Sequence, residues 1–348
     1  MSVNAISLNA PARPSISSRA GEGEMGITAE AWLELIDREY LREFVSSGGS
    51  AVKFVEAGAG QIDEIQARLA ALAEQHGLAS CRIDASRTKL HMIQDIFFAV
   101  SRSLDWPGMA QAFVEALVTD HGYGWPRADG GVTFEDVAAY NEIDVRLFRR
   151  DLNRWLTGDV MQDRTMSQDF RIAMATLSRT RLEPDETDVG VTAPVLEWLR
   201  GELRAIGPLR ETYITAKITR HNGRAMLRSL CRWLRLCGRK GICVMLDIRQ
   251  VLRTGTALAE GLRYTAAAVI DAFEVLRQLI DDAETFEGLL VVVLADEALT
   301  GLDPKRSLNA YDALKMRVWD DVRATGRDNP LATLVRLHSG AHETIGAS

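Results

Sequence analysis

The sequence predicts a three-layer α/β fold in which a parallel, five-stranded sheet is covered on both faces and carries a large helical insertion. Three observations predict it. Apolar runs that do not alternate, GICVMLD at 241–247 and GLLVVVL at 288–294, read as strands buried on both faces. Stretches with helical periodicity separate these strands, as parallel connections require. Residues 106–222 carry helical patterns broken by Gly and Pro, with no strand of useful length. At 348 residues, 47% of them hydrophobic, the chain is long enough for one such core and an added subdomain.

Residues 1–25 are rich in Ser, Ala, Pro and Gly without periodicity and read as a disordered tail. The first half of the core spans 26–105. It opens with a helix over 29–45, with Trp32, Leu35, Ile36, Tyr40 and Phe44 at helical spacing. Strands follow at 51–56 (AVKFVE) and 78–84 (LASCRID), with a helix from Gln61 between them, and another helix spans about 89–104. After the insertion at 106–222, the second half of the core runs from 223 to 338. It holds the strand at 241–247, a helix over about 264–282, the strand at 288–294, a helix over about 310–323 and a last strand at 332–337. Residues 339–348 form a polar tail. No apolar run approaches the ~20 residues of a membrane span, and no apolar stretch follows a basic N-terminus. The four cysteines lack the close pairing of a zinc site and read as core thiols, so a reducing cytoplasm is expected.

The strand at 51–56, the turn Gly58-Ala59-Gly60 and the helix behind it form the frame of a P-loop, G-x-x-x-x-G-K-[ST]. Laid over Val55–Ile62, the pattern keeps only Gly60. Val55 stands at the first glycine, Gln61 at the lysine and Ile62 at the hydroxyl residue. The amide nest is expected to survive at Gly58 and Gly60, but the lysine charge that neutralises the β- and γ-phosphates is gone. Glu56, Asp63 and Glu64 bring carboxylates to the phosphate position instead. The strand at 241–247 reads as a Walker B strand whose Asp247 would face Mg²⁺, yet the next residue, Ile248, cannot orient water. The candidate nucleotide-side residues are therefore Gly58, Gly60, Gln61 and Asp247, with no catalytic residue. In an AAA-type strand order, the strands ending at Glu56, Asp296 and Asp247 are neighbours. This acidic edge reads either as turn caps facing water or as a divalent-metal site.

Between Lys217 and Lys240 there are eight Lys/Arg and no Asp/Glu, in a chain whose net charge is −7. Arg224, Arg228, Arg232, Arg235 and Arg239 fall on one face of a helix, opposite Leu227, Leu230, Leu234 and Cys237. Such a stripe is either paired within the molecule or turned to a partner, an acidic protein or a nucleic-acid backbone. The six histidines are scattered, and H-E-x-x-H, G-x-S-x-G and G-x-G-x-x-G are absent.

Four stretches resemble the ATP-binding, P-loop-domain proteins of BREX-type phage-resistance systems, relatives of AAA ATPases: 48–60, 224–247, 276–281, and Asp303-Pro304-Lys305-Arg306 with Tyr311, Ala313, Leu314 and Arg317. The resemblance implies a P-loop NTPase-like core of AAA type, ATP binding and a role in antiviral defence. Gln61, Ile62 and Ile248 stand where the family's lysine, hydroxyl residue and glutamate would be. The expectation is thus a catalytically silent regulatory or scaffolding subunit beside an active ATPase paralogue or another defence protein. It has no resident cofactor, and Arg306 and Arg317 are candidates to act in trans on a neighbour's nucleotide. One alternative is an NTPase with an unorthodox phosphate loop that binds ATP and Mg²⁺, Lys53 or a basic residue of the insertion replacing the lysine. Another is a nucleic-acid adaptor using the basic helix.

Overall fold

A computed structural model describes residues 27–127, 131–183, 189–253, 261–319 and 331–338. Its centre is one all-parallel sheet of six strands: β1 (Ile27–Thr28), β2 (Ala51–Glu56), β3 (Leu78–Asp84), β4 (Gly241–Asp247), β5 (Leu289–Ala295) and β6 (Leu334–His338), in the order β1-β6-β2-β5-β4-β3. The five expected strands are all present. The sixth is β1, a two-residue strand paired to β6 through Ile27↔Leu337 and Thr28↔His338, too short to carry a period in sequence. β5 lies between β2 and β4, the neighbour relation anticipated for an AAA-type order.

β4 and β5 are buried at every position, which is why both read as unbroken apolar runs. Alternate residues face opposite layers. Cys243, Met245, Leu290, Val292 and Leu294 meet Trp32, Leu33 and Ile36 of α1 (Ala29–Ile36) and Ile62, Ile65 and Leu69 of α2 (Ala59–Gln75). Val244, Leu246, Val291 and Val293 face a larger core that includes Ile96, Phe97 and Val100 of α3 (Ile93–Arg102) and extends into the helical segment. α1 does not continue to Val45 as an α-helix: residues Asp37–Val45 adopt π-helical bonding.

Between β3 and β4, beyond α3, the described residues form α4 (Trp106–Asp120), α5 (Phe134–Tyr140), α6 (Val145–Leu156), α7 (Gln168–Thr180), α8 (Val189–Arg200) and α9 (Gly223–Leu236), with no strand among them. This helical mass joins the sheet's larger core through Phe113 of α4, whose ring lies 4.7 Å from that of Trp233 of α9. After β4 come the single-turn α10 (Arg249–Leu252), α11 (Ala266–Asp281) and α12 (Asp312–Trp319). The expected disordered tail at 1–25, the end of the helix expected to 323, and the tail at 339–348 lie outside the described residues.

Gly241, the first residue of β4, and Gly288, just ahead of β5, are in mutual contact. The Gly288 carbonyl accepts from Ile242 N–H at 2.8 Å, and a Cβ on Gly241 would stand 2.2 Å from that oxygen. Gly288 itself has φ +74°, a conformation that favours glycine.

Candidate functional site

The carboxyl edge of a parallel sheet is where such folds bind ligands, and β2, β5 and β4 bring Glu56, Asp296 and Asp247 to that edge. β2 ends at Glu56 and α2 begins at Ala59, so only Ala57 and Gly58 connect them. A P-loop has four residues between its glycines alone, and two residues cannot encircle a phosphate. Gly58 has φ −59° and ψ 143°, and neither Gly58 nor Gly60 has positive φ. The alternating right- and left-handed backbone that forms an amide nest is therefore missing, which corrects the expectation that the nest survives. Gln61 turns back on the helix start: its side-chain carbonyl accepts from the Gly58 N–H at 3.1 Å. The residue at the lysine position thus satisfies a donor that would otherwise point to an anion. Val55 and Ile62 are fully buried core residues and do not face the turn.

Asp247 is also occupied. The Arg249 guanidinium binds its carboxylate through Nε at 3.0 and 3.1 Å and through Nη2 at 2.5 Å, and the Arg249 backbone N–H donates to the same group at 3.1 Å. Arg249 Nη1 reaches the Ala59 carbonyl at 3.3 Å, tying the end of β4 to the start of α2. The hydrogen bond to Asp247 pushes the Arg249 pKa up, against the opposing effect of its burial, and Asp63 and Asp296 add to the rise. One guanidinium therefore sits among the carboxylates at the carboxyl edge of the sheet. Ile248, at the glutamate position, is fully buried, and its N–H donates to the Leu294 carbonyl. Arg249 was not among the residues singled out in the sequence. Its signal is an arginine two residues after a strand-terminal aspartate, placed to fold back where the strand turns into a helix.

Three further carboxylates at this edge, Asp296, Asp84 and Glu56, have local partners. Asp296 accepts from Ala298 N–H at 3.2 Å and Asp84 from Ser86 N–H at 2.6 Å, both as turn caps. Burial pushes the Glu56 pKa up, against a 2.8 Å hydrogen bond from Thr300 and the nearby Arg336. Among the described residues no three His, Cys, Asp or Glu side chains are grouped to hold a metal ion. Lys53 does not replace the missing lysine. It is buried in β2 and donates to the carbonyls of Leu331 and Ala332 ahead of β6, 4.7 Å from the Tyr40 ring centre.

Residues 133–347 match the family model described as BREX system ATP-binding protein BrxC/D. The chain belongs to this BREX family. The matched span contains β4 with Asp247 and Arg249, β5, β6 and the basic helix α9, whereas the turn at Ala57–Gly60 precedes it. No curated protein and no solved structure matches the chain.

In this BREX family member most of the basic stripe on α9 is engaged internally. Arg224 pairs with Asp282 at 2.8 Å, and Arg232 bridges Asp163 at 2.8 Å and Glu287 at 3.2 Å. Arg235 donates to the Lys240 carbonyl at 2.8 Å and the Ser46 carbonyl at 3.3 Å. Arg228 and Arg239 are exposed and make no ion pair among the described residues. A trans-acting role does not fit the placement of Arg306, whose guanidinium points inward and donates to the carbonyls of Val251 (3.2 Å) and Tyr264 (2.9 Å). Arg317 is held by Asp281, which also pairs with Arg277. Arg306 braces α10 against the residues ahead of α11, and Arg317 joins α12 to α11.

Proposed function

We propose that this chain is a catalytically silent regulatory or scaffolding subunit of a BREX-type antiviral defence system, built on a degenerate AAA-like P-loop frame. The observation that carries the reading is the Arg249 guanidinium bound to Asp247 and reaching Ala59, with Gln61 on the Gly58 amide. A phosphoanhydride is cleaved where positive charge and a water-orienting acid converge on the phosphates. Here Asp247 is paired with Arg249 of the same chain, and the residue after it, Ile248, is buried apolar core. No helix among the described residues is long and apolar enough to cross a membrane.

The partner is an active ATPase of the same defence system. Reconstitution tests this: the full chain, mixed with a purified active ATPase of the same defence system, is expected to co-elute with it in fixed stoichiometry and to change its ATP turnover several-fold. Separate elution with unchanged turnover would count against a regulatory or scaffolding role.

A second reading is supported by the family's description as ATP-binding. In it Arg249 releases Asp247 and meets the phosphates, and nucleotide is held without being cut.

A further inference from the structure

We propose that a cleft between the loop ahead of α7, helix α9 and the turn ahead of β5 is a binding site for a phosphate dianion. Its volume is about 290 Å³, and Arg164, Thr165, Arg228, Arg232, Thr285 and Glu287 line it. That leaves room for a phosphate group together with part of what it is attached to. The site lies on α9, apart from the Asp247 edge, and does not rest on the reading of that edge.

Two side chains of the cleft, Arg164 and Arg228, carry charge that no neighbouring carboxylate offsets among the described residues. Arg232 and Arg235 face Asp163 and Glu287, two cations against two carboxylates. Arg164 and Arg228 are exposed and have no anionic partner among the described residues. Two uncompensated guanidinium charges at one cleft stand out in a chain of net charge −7. They match the two negative charges of a phosphate monoester or inorganic phosphate above its second pKa of about 6. Arg232 is already oriented by its two carboxylates, so its fixed fork flanks the ligand. The Thr165 hydroxyl donates to Asp163 and the Thr285 hydroxyl to the Asp282 carbonyl, so recognition falls on the guanidiniums. The acidic surroundings disfavour a long anionic polymer and favour a single group.

The test is calorimetric titration of the full chain with inorganic phosphate and with AMP, at constant ionic strength set by chloride. Both ligands are expected to bind above pH 6 and to weaken well below it, as the phosphate loses its second charge. Arg164→Gln and Arg228→Gln should each weaken binding about tenfold, and the double variant should abolish it. The melting temperature of these variants in chloride should stay at that of the parent, because both side chains are exposed. Tighter binding of AMP assigns the site to a nucleotide, and equal affinity assigns it to the phosphate group alone. Binding unchanged in the double variant, or no binding of either ligand, overturns the proposal.

Discussion

Replacing Arg249 with alanine is expected to lower the stability of the fold by about 2–3 kcal/mol. Asp247 is only 7% exposed, and among the described residues its carboxylate makes three contacts to the Arg249 guanidinium but only one hydrogen bond to a backbone N–H, that of Arg249. Removing the guanidinium leaves a nearly buried anion with that single N–H, and the cost is chiefly that of an uncompensated charge rather than the net worth of the pair. The tether from β4 to the Ala59 carbonyl is lost as well. Removing both partners, Asp247→Ala with Arg249→Ala, should recover much of the loss, because no isolated charge remains. Urea unfolding of the four proteins of this cycle gives the coupling directly. Equal midpoints for the parent and Arg249→Ala would show that the contact holds nothing together.

Gly241→Ala should be costlier, at about 3 kcal/mol or more, with the melting temperature lowered by several degrees. The new methyl would lie 2.2 Å from the Gly288 carbonyl oxygen, a backbone atom that cannot rotate away. That carbonyl is the acceptor for the Ile242 N–H, so relief of the clash breaks a bond that joins the start of β4 to the residue ahead of β5. Gly288 cannot yield easily either. Its left-handed φ of +74° and the Lys240 carbonyl, 2.8 Å from a Cβ built on it, fix its place. Thermal unfolding of Gly241→Ala beside the exposed control Gly158→Ala, where an added methyl meets nothing within 4 Å, separates this clash from a general effect of glycine loss.

Strands β2, β3 and β4 occupy the bounds read from sequence, because each is a short apolar run closed by Gly or by a charged residue at the sheet edge. β1 escaped because two residues cannot display a period of two, and its pairing with β6 is set by tertiary packing. The π-helical turn of Asp37–Val45 escaped for a related reason: its apolar spacing still looks helical. At the site, absent residues were legible and present contacts were not. That Gln61 and Ile248 stand where P-loop and Walker B patterns would put a lysine and a glutamate can be read from the residues alone. The folding of Gln61 onto Gly58 and of Arg249 onto Asp247 depends on where the chain turns at the sheet edge. The stripe on α9 shows the same limit. Its five arginines are plain in sequence, but Asp163, Asp282 and Glu287, which neutralise part of it, come from distant segments.

The most direct test of a sheet edge whose Asp247 is held by Arg249 is ATP turnover by the purified full chain with Mg²⁺, paired with a crystal structure grown in the same mixture. No hydrolysis above the protein-free rate is expected, with Arg249 still on Asp247 in the crystal. Mg²⁺-dependent turnover, or an ordered triphosphate and magnesium ion between Gly60 and Asp247, would contradict it.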